Sequence, residues 1–250
     1  MTVNGAINRG FGRGGKGCVM RLRAVRGLVL VIVLMFTALM VPSAVASGHR
    51  PVVLPPNAKP RGVGLAEWSA RWWQWAFSTP NTSQGPFVEG RMDCGVNQPQ
   101  RRVWFLAGPF NESGSVSRQC VVPRKTILIL PVLNVECSNR EDPPFFGDSP
   151  AARRKCVHAT LFKFADLSLV VDGKKVRNLR LFTVTSPDFE FVGVPGNPVG
   201  IEGPGQATGR GVYAMLRPLA PGKHVVSFAG TFPAFPFTAS ATYRLTVPRR

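Results

Sequence analysis

Histidine, tyrosine and acid are scarce in this chain, at three, two and thirteen residues of 250. His49, His158 and His224 stand far apart, with no H-E-x-x-H or H-x-H spacing, and that excludes the common zinc sites. No C-x-x-C occurs, and no G-x-S-x-G, so the strained turn that presents a serine nucleophile is missing. Gly62-Val63-Gly64 and the glycines of 193–200 lack the strand–turn–helix setting of a phosphate loop. Basic runs such as Arg101-Arg102, Arg153-Arg154-Lys155 and Arg249-Arg250 are not interleaved with aromatics, as a single-strand binder requires. Metal, cofactor and nucleic acid are therefore not expected. No internal repeat is present.

What the chain does have begins at its N-terminus. Arg9, Arg13, Lys16, Arg21, Arg23 and Arg26, with no acid among them, precede an apolar run from Leu28 that continues to Val41. Pro42 and then Ala44-Val45-Ala46 follow. A basic segment, an apolar core and a small-x-small site predict a secretory signal at 1–46, cleaved near Ala46, with translation starting at Met1 or Met20. The rival, an uncleaved anchor over 28–46, is disfavoured by Pro42, Ser43 and Ser47, so the membrane is met only through the signal. The mature chain is expected outside the cytoplasm, in the periplasm, the cell wall or the medium. Six of the 31 basic residues leave with the signal and none of the acids does. What remains is basic enough to attract anionic polymers.

Cys18 also lies within the signal, leaving Cys94, Cys120, Cys137 and Cys156. An even number in an exported chain predicts two disulfides. Three connectivities are possible. The pairing Cys94–Cys120 with Cys137–Cys156 is favoured because each closes a short segment between strand-like runs, worth about 3 kcal/mol apiece in the chain-entropy model.

Residues 47–63 are Pro-rich and unpatterned, an extended leader to a single domain over 64–250. Leu65, Trp68, Trp72, Trp75 and Ala76 recur at helical spacing, predicting a one-sided amphipathic helix of about three turns. Strand-like runs follow at Val103–Ala107, Val116–Val122 and Thr126–Val135, the last interrupted by Pro131. Ser149-Pro150 opens a second helix expected to reach about Phe164. Asp172-Gly173 joins Leu167–Val171 to Val176–Phe182 as a hairpin. Thr183–Gly211, rich in Gly and Pro, reads as a long loop. From Ala239 to Val247 apolar and polar residues alternate, a strand with one wet face. The fold class is all-β: an antiparallel β-sandwich, jelly-roll or Ig-like, with a Trp-rich N-terminal helix and a second short helix. The alternative is α+β.

Two groups of side chains are candidates for chemistry or binding. Trp73 and Trp75 could stack sugar rings, Trp73 lying off the apolar stripe, although the spacing of the stripe fits a helix covering a sheet. Asn134 and the acids Glu136, Glu141, Asp142 and Asp148 cluster around Cys137, and Asp188, Glu190 and Glu202 fall in 183–211. Glu136 with Asp188 or Glu190 is the candidate catalytic pair for glycoside hydrolysis.

Glu67–Trp75 (EWSARWWQW), Val103–Gly108, Cys120–Pro123, Ile129–Glu136 and Pro218–His224 together resemble a family of exported bacterial proteins of unknown activity. The resemblance spans about residues 65–247 and implies export and a single domain, with no site residue. The function expected first is a non-catalytic module that binds a surface or polymer, anionic or glycan. A hydrolase of envelope or environmental polysaccharide comes second, and a membrane-active protein using the tryptophan helix third.

Overall fold

The computed structural model describes residues 52–99, 101–110 and 113–249. The signal, its cleavage site and the start of the leader lie outside these residues. The described part of the leader is fastened to the domain: Val53 bridges Leu216, and Leu54 N donates to Met215 O at 2.8 Å.

Two sheets form the domain. The six-stranded sheet contains β1 (Gly90–Arg91), β3 (Gly114–Val121), β5 (Ala165–Val171), β6 (Lys174–Lys175), β10 (Gly222–Phe232) and β11 (Phe237–Val247), in the order β1-β3-β11-β10-β5-β6. The five-stranded sheet has β2 (Val103–Phe105), β4 (Ile127–Ser138), β9 (Gly203–Leu216) and β7 (Thr183–Thr185) in that order, with β8 (Phe189–Gly193) also paired to β9. Most pairs are antiparallel, while β1–β3, β3–β11 and β2–β4 run parallel. The alternation of the last strand is observed in full, with Ala239, Ala241, Tyr243, Leu245 and Val247 all buried.

α1 (Leu65–Phe77) carries the tryptophans. Its exposed side is narrower than the one-sided pattern implies, because the helix is covered from two directions. One side packs on β7, β8 and β9; on the other Trp75 meets the rings of Phe87 and Phe105. Within the helix only Glu67 and Gln74 are exposed, and Glu67 pairs with Arg71 at 3.3 Å.

Three other expectations are corrected. The presumed loop 183–211 holds β7, β8 and the first half of β9, the longest strand. Gly196 and Gly200 do mark turns between β8 and β9, but the glycines within β9 are sites of close approach: a side chain on Gly209 would strike Trp73, and one on Gly211 would strike Asn134 and Tyr213. The second helix, α2 (Pro150–Val157), is capped by Ser149 Oγ at Ala152 N (3.2 Å) but ends well short of Phe164. Cys156 is tied to Cys137, and the chain turns there to bury Phe162 and Phe164 against Phe232. The Asp172-Gly173 turn does join two paired strands, but Val176–Phe182 is no strand; Asn178 is left-handed and Leu179–Phe182 forms a 3-10 turn.

The decisive local feature is Pro131. It removes a ladder donor, and the β4–β9 register shifts by a residue between Pro131 and Leu133. On its other edge β4 pairs with β2 only from Ile127 to Ile129, and its next contact is Ser138, which bonds Phe145 and Gly147. Among the described residues, the edge between those contacts meets no other strand.

Candidate functional site

That open edge forms one wall of a cavity of about 280 Å³. Trp72 and Trp73 of α1, Phe110 after β2, and Phe228 and Phe232 of β10 supply most of the remaining wall, with Phe145 and Phe162 closing one end. Trp72 is anchored by Nε1 donating to Leu106 O at 3.0 Å and stacks on Phe110 at 5.7 Å.

The polar part of the wall follows from strand geometry. Gly209 turns its N–H and C=O toward Ser186, so Glu136, opposite it on β4, presents its own main-chain groups to the open edge. The Glu136 side chain lies on the same face as the bare Gly209, where Trp73 packs. Asn134, two residues back, donates to the Tyr213 hydroxyl at 2.9 Å. Glu136 is 4% exposed and its Oε2 has no hydrogen-bond partner among the described protein groups, while Trp73 Nε1 lies near the Tyr213 hydroxyl without a well-aligned hydrogen bond. Glu141, on the turn after β4, also lines the cavity, and its Oε2 accepts from Ser138 Oγ at 3.1 Å.

The two carboxyls interact directly, and two such groups can hydrogen-bond only by holding a proton between them. Burial pushes Glu136 well above the ordinary carboxylate range, with the charge and hydrogen bond of Glu141 adding to it. Burial also raises Glu141, against the hydrogen bonds from Glu136 and Ser138 that lower it. Tyr213 is pushed far up by burial and stays a neutral phenol. Among the described residues, no Arg or Lys lines the cavity.

The structure does not bring Glu136 to the acids of 183–211. Asp188 accepts from Arg153 Nε and Nη2, each at 2.7 Å, and from Thr208 Oγ1 at 2.8 Å. Thr208 lies one residue out of phase with Gly209, so this network occupies the opposite face of the sheet. Glu190 is exposed on β8 beside a separate open groove that includes Gln74 and Asn139. The carboxyl that does meet Glu136 is Glu141, five residues on in the acid cluster. A polar Asn134-x-Glu136 inside an apolar run, just after a proline that must bulge the strand, was the signal for the site.

Trp73 is 6% exposed and Trp75 3%, so neither ring forms a surface platform. Trp73 walls the cavity, whereas Trp75 is fixed elsewhere by Nε1 donating to Val96 O at 3.4 Å. Cys94 is bonded to Cys120 and Cys137 to Cys156, which places the folded chain in an oxidising environment. Among the described residues, no helix is long and apolar enough to cross a membrane, and no three His, Cys, Asp or Glu are placed to hold a metal ion.

No family model and no curated protein matches the chain. One solved structure, described as "Structure of PbICP-C in complex with falcipain-2", aligns with 59% of this chain and 98% of that one, at 11% identity and a TM-score of 0.23. A likeness that low carries no argument about fold or function.

Proposed function

We propose that this chain is an exported, disulfide-stapled binding module whose ligand is a small, largely apolar molecule held in the cavity beside Glu136. The observation that carries the reading is the cavity itself: aromatic walls, with Glu136, Glu141 and Asn134 as its polar members and Glu136 Oε2 left without a protein partner. An apolar pocket with a few convergent polar groups is the usual form of a small-molecule site. At about 280 Å³ it exceeds the ~150 Å³ of an apolar cavity that takes up benzene. Export is supported by the N-terminal pattern and by the family resemblance. Net charge supports attraction of the module to anionic polymers; a glycan partner has lost its main support with the burial of Trp73 and Trp75, and membrane action by the tryptophan helix has lost its support in the same way.

A second reading, hydrolysis, is favoured by the carboxyl pair, since two acids sharing a proton can activate a water. Their direct contact is unlike glycosidases, which hold their two carboxyls at least ~5 Å apart across the scissile bond. Binding is therefore the stronger reading.

The test is a panel of small aromatics and monosaccharides, scored by thermal shift and calorimetry on the oxidised protein and on Ala239→Phe, which fills the cavity. A compound that stabilises the wild type and not the variant is the expected result. If nothing in the panel distinguishes the two proteins, the cavity is a packing defect and the reading fails.

A further inference from the structure

We propose that the cavity selects an organic cation, whose ammonium group sits between Glu136 and Glu141 and displaces the proton they share. The inference rests on the binding reading above and names the chemical class of the ligand. Three features of the wall converge on it. Two carboxyls line the same cavity, and among the described residues no Arg or Lys lines it to offset them. Glu136 is a buried member of the cavity lining, and its Oε2 has no hydrogen-bond partner among the described protein groups. Around it stand the rings of Trp72, Trp73, Phe110, Phe145, Phe162 and Phe232, whose negative faces favour a cation once water is excluded.

The exchange balances without any covalent step. Before binding, the pair carries one negative charge and one proton. A protonated amine arrives with one positive charge, both carboxyls ionise around it, and one proton leaves to solvent. The neighbours do not interfere. Tyr213 on β9 faces Glu136 as a neutral phenol, and Trp73 of α1 is uncharged. Arg210 is opposite Val135 in the register, and so it lies on the other face of the sheet with Arg153 and Asp188. Arg140 reaches away to Glu202 O at 3.4 Å. The raised affinity of both carboxyls for protons is what makes the exchange measurable at neutral pH.

Calorimetry with 2-phenylethylamine and its neutral counterpart 2-phenylethanol, in two buffers of different ionisation heat, tests this on the oxidised protein. The amine is expected to bind about tenfold more tightly than the alcohol, with about one proton released per amine bound. Glu141→Gln, on a partly exposed turn, is expected to abolish that preference and the proton release; Glu136→Gln is the second variant. Equal or tighter binding of the alcohol, or no proton release, overturns the cation while leaving the binding module intact. Failure of both probes, with Ala239→Phe indistinguishable from wild type, overturns both proposals.

Discussion

Arg153 and Asp188 form a two-pronged ion pair, Nε to Oδ1 and Nη2 to Oδ2, both at 2.7 Å, with Arg153 wholly buried. The pair fastens α2 to the start of β8, with Gln206 Oε1 and Gly147 O taking further guanidinium protons. Burial pushes the Asp188 carboxyl up, but the Arg153 and Thr208 hydrogen bonds and the Arg153 charge outweigh it, so it titrates below the usual aspartate value. A lowered carboxyl contributes stability above its unfolded value of about 3.9, and that contribution is lost as pH falls through the folded value. Asp188→Asn leaves a buried guanidinium without its counter-charge and is expected to cost about 3 kcal/mol at pH 7. Urea unfolding at pH 7 and near pH 2 checks it; the gap between wild type and variant should close in acid.

The disulfides staple different parts of the domain. Cys94–Cys120 spans 26 residues and Cys137–Cys156 spans 19, the latter joining the end of β4 to α2. Each double alanine variant is expected to lose about 3 kcal/mol, or on the order of 10 °C in Tm for a domain of this size. Thermal scans of the two variants measure it, with mass mapping of the oxidised protein to verify both bonds. A loss confined to one variant would show the other bond to be marginal to folding.

Trp73 and Gly209 are fitted to each other: a Cβ on Gly209 would lie 2.6 Å from the indole Cδ1 and Nε1. Gly209→Ala is therefore an overpacking change and should cost about 1–3 kcal/mol in urea titrations. It should also alter tryptophan emission. Gly114→Ala, where a Cβ meets nothing within 4 Å, is the control and should stay within about 0.5 kcal/mol.

That pair also shows what could and could not be read from the chain. The helix over Leu65–Phe77, the bulge at Pro131 and the alternation of the last strand were legible because each depends on residues near in sequence. The exposure suggested for Trp73 failed because its cover comes from a glycine 136 positions away. Taken one at a time, Gly205, Gly209 and Gly211 looked like loop punctuation; only the rings packed against them reveal a strand. The site was half legible for the same reason. Glu136 stood out as an acid within an apolar run, but its partner depended on how the turn after Ser138 folds back. Burial of the acid then depended on a register that sequence does not specify.

The carboxyl pair should leave its mark on stability as well as on binding. Glu136 is raised, chiefly by burial, so folding favours its protonated form. Its contribution is complete below the unfolded value of about 4.3 and is lost as pH climbs through the raised folded value. Wild-type Tm should therefore decline from about pH 5 toward pH 8, in the absence of ligand. Glu141, raised by burial, and His224, which burial lowers but the hydrogen bonds of Asp172 and Ala220 raise on balance, also lose stability as pH rises, so the raw curve mixes three groups. The difference between wild type and Glu136→Gln removes that shared contribution. The amide has the shape of the protonated acid and does not ionise, so the variant should match wild type near pH 4.5 and exceed it increasingly above. Thermal scans across that range decide the matter: a difference that does not change with pH would mean that Glu136 is not held protonated by the fold.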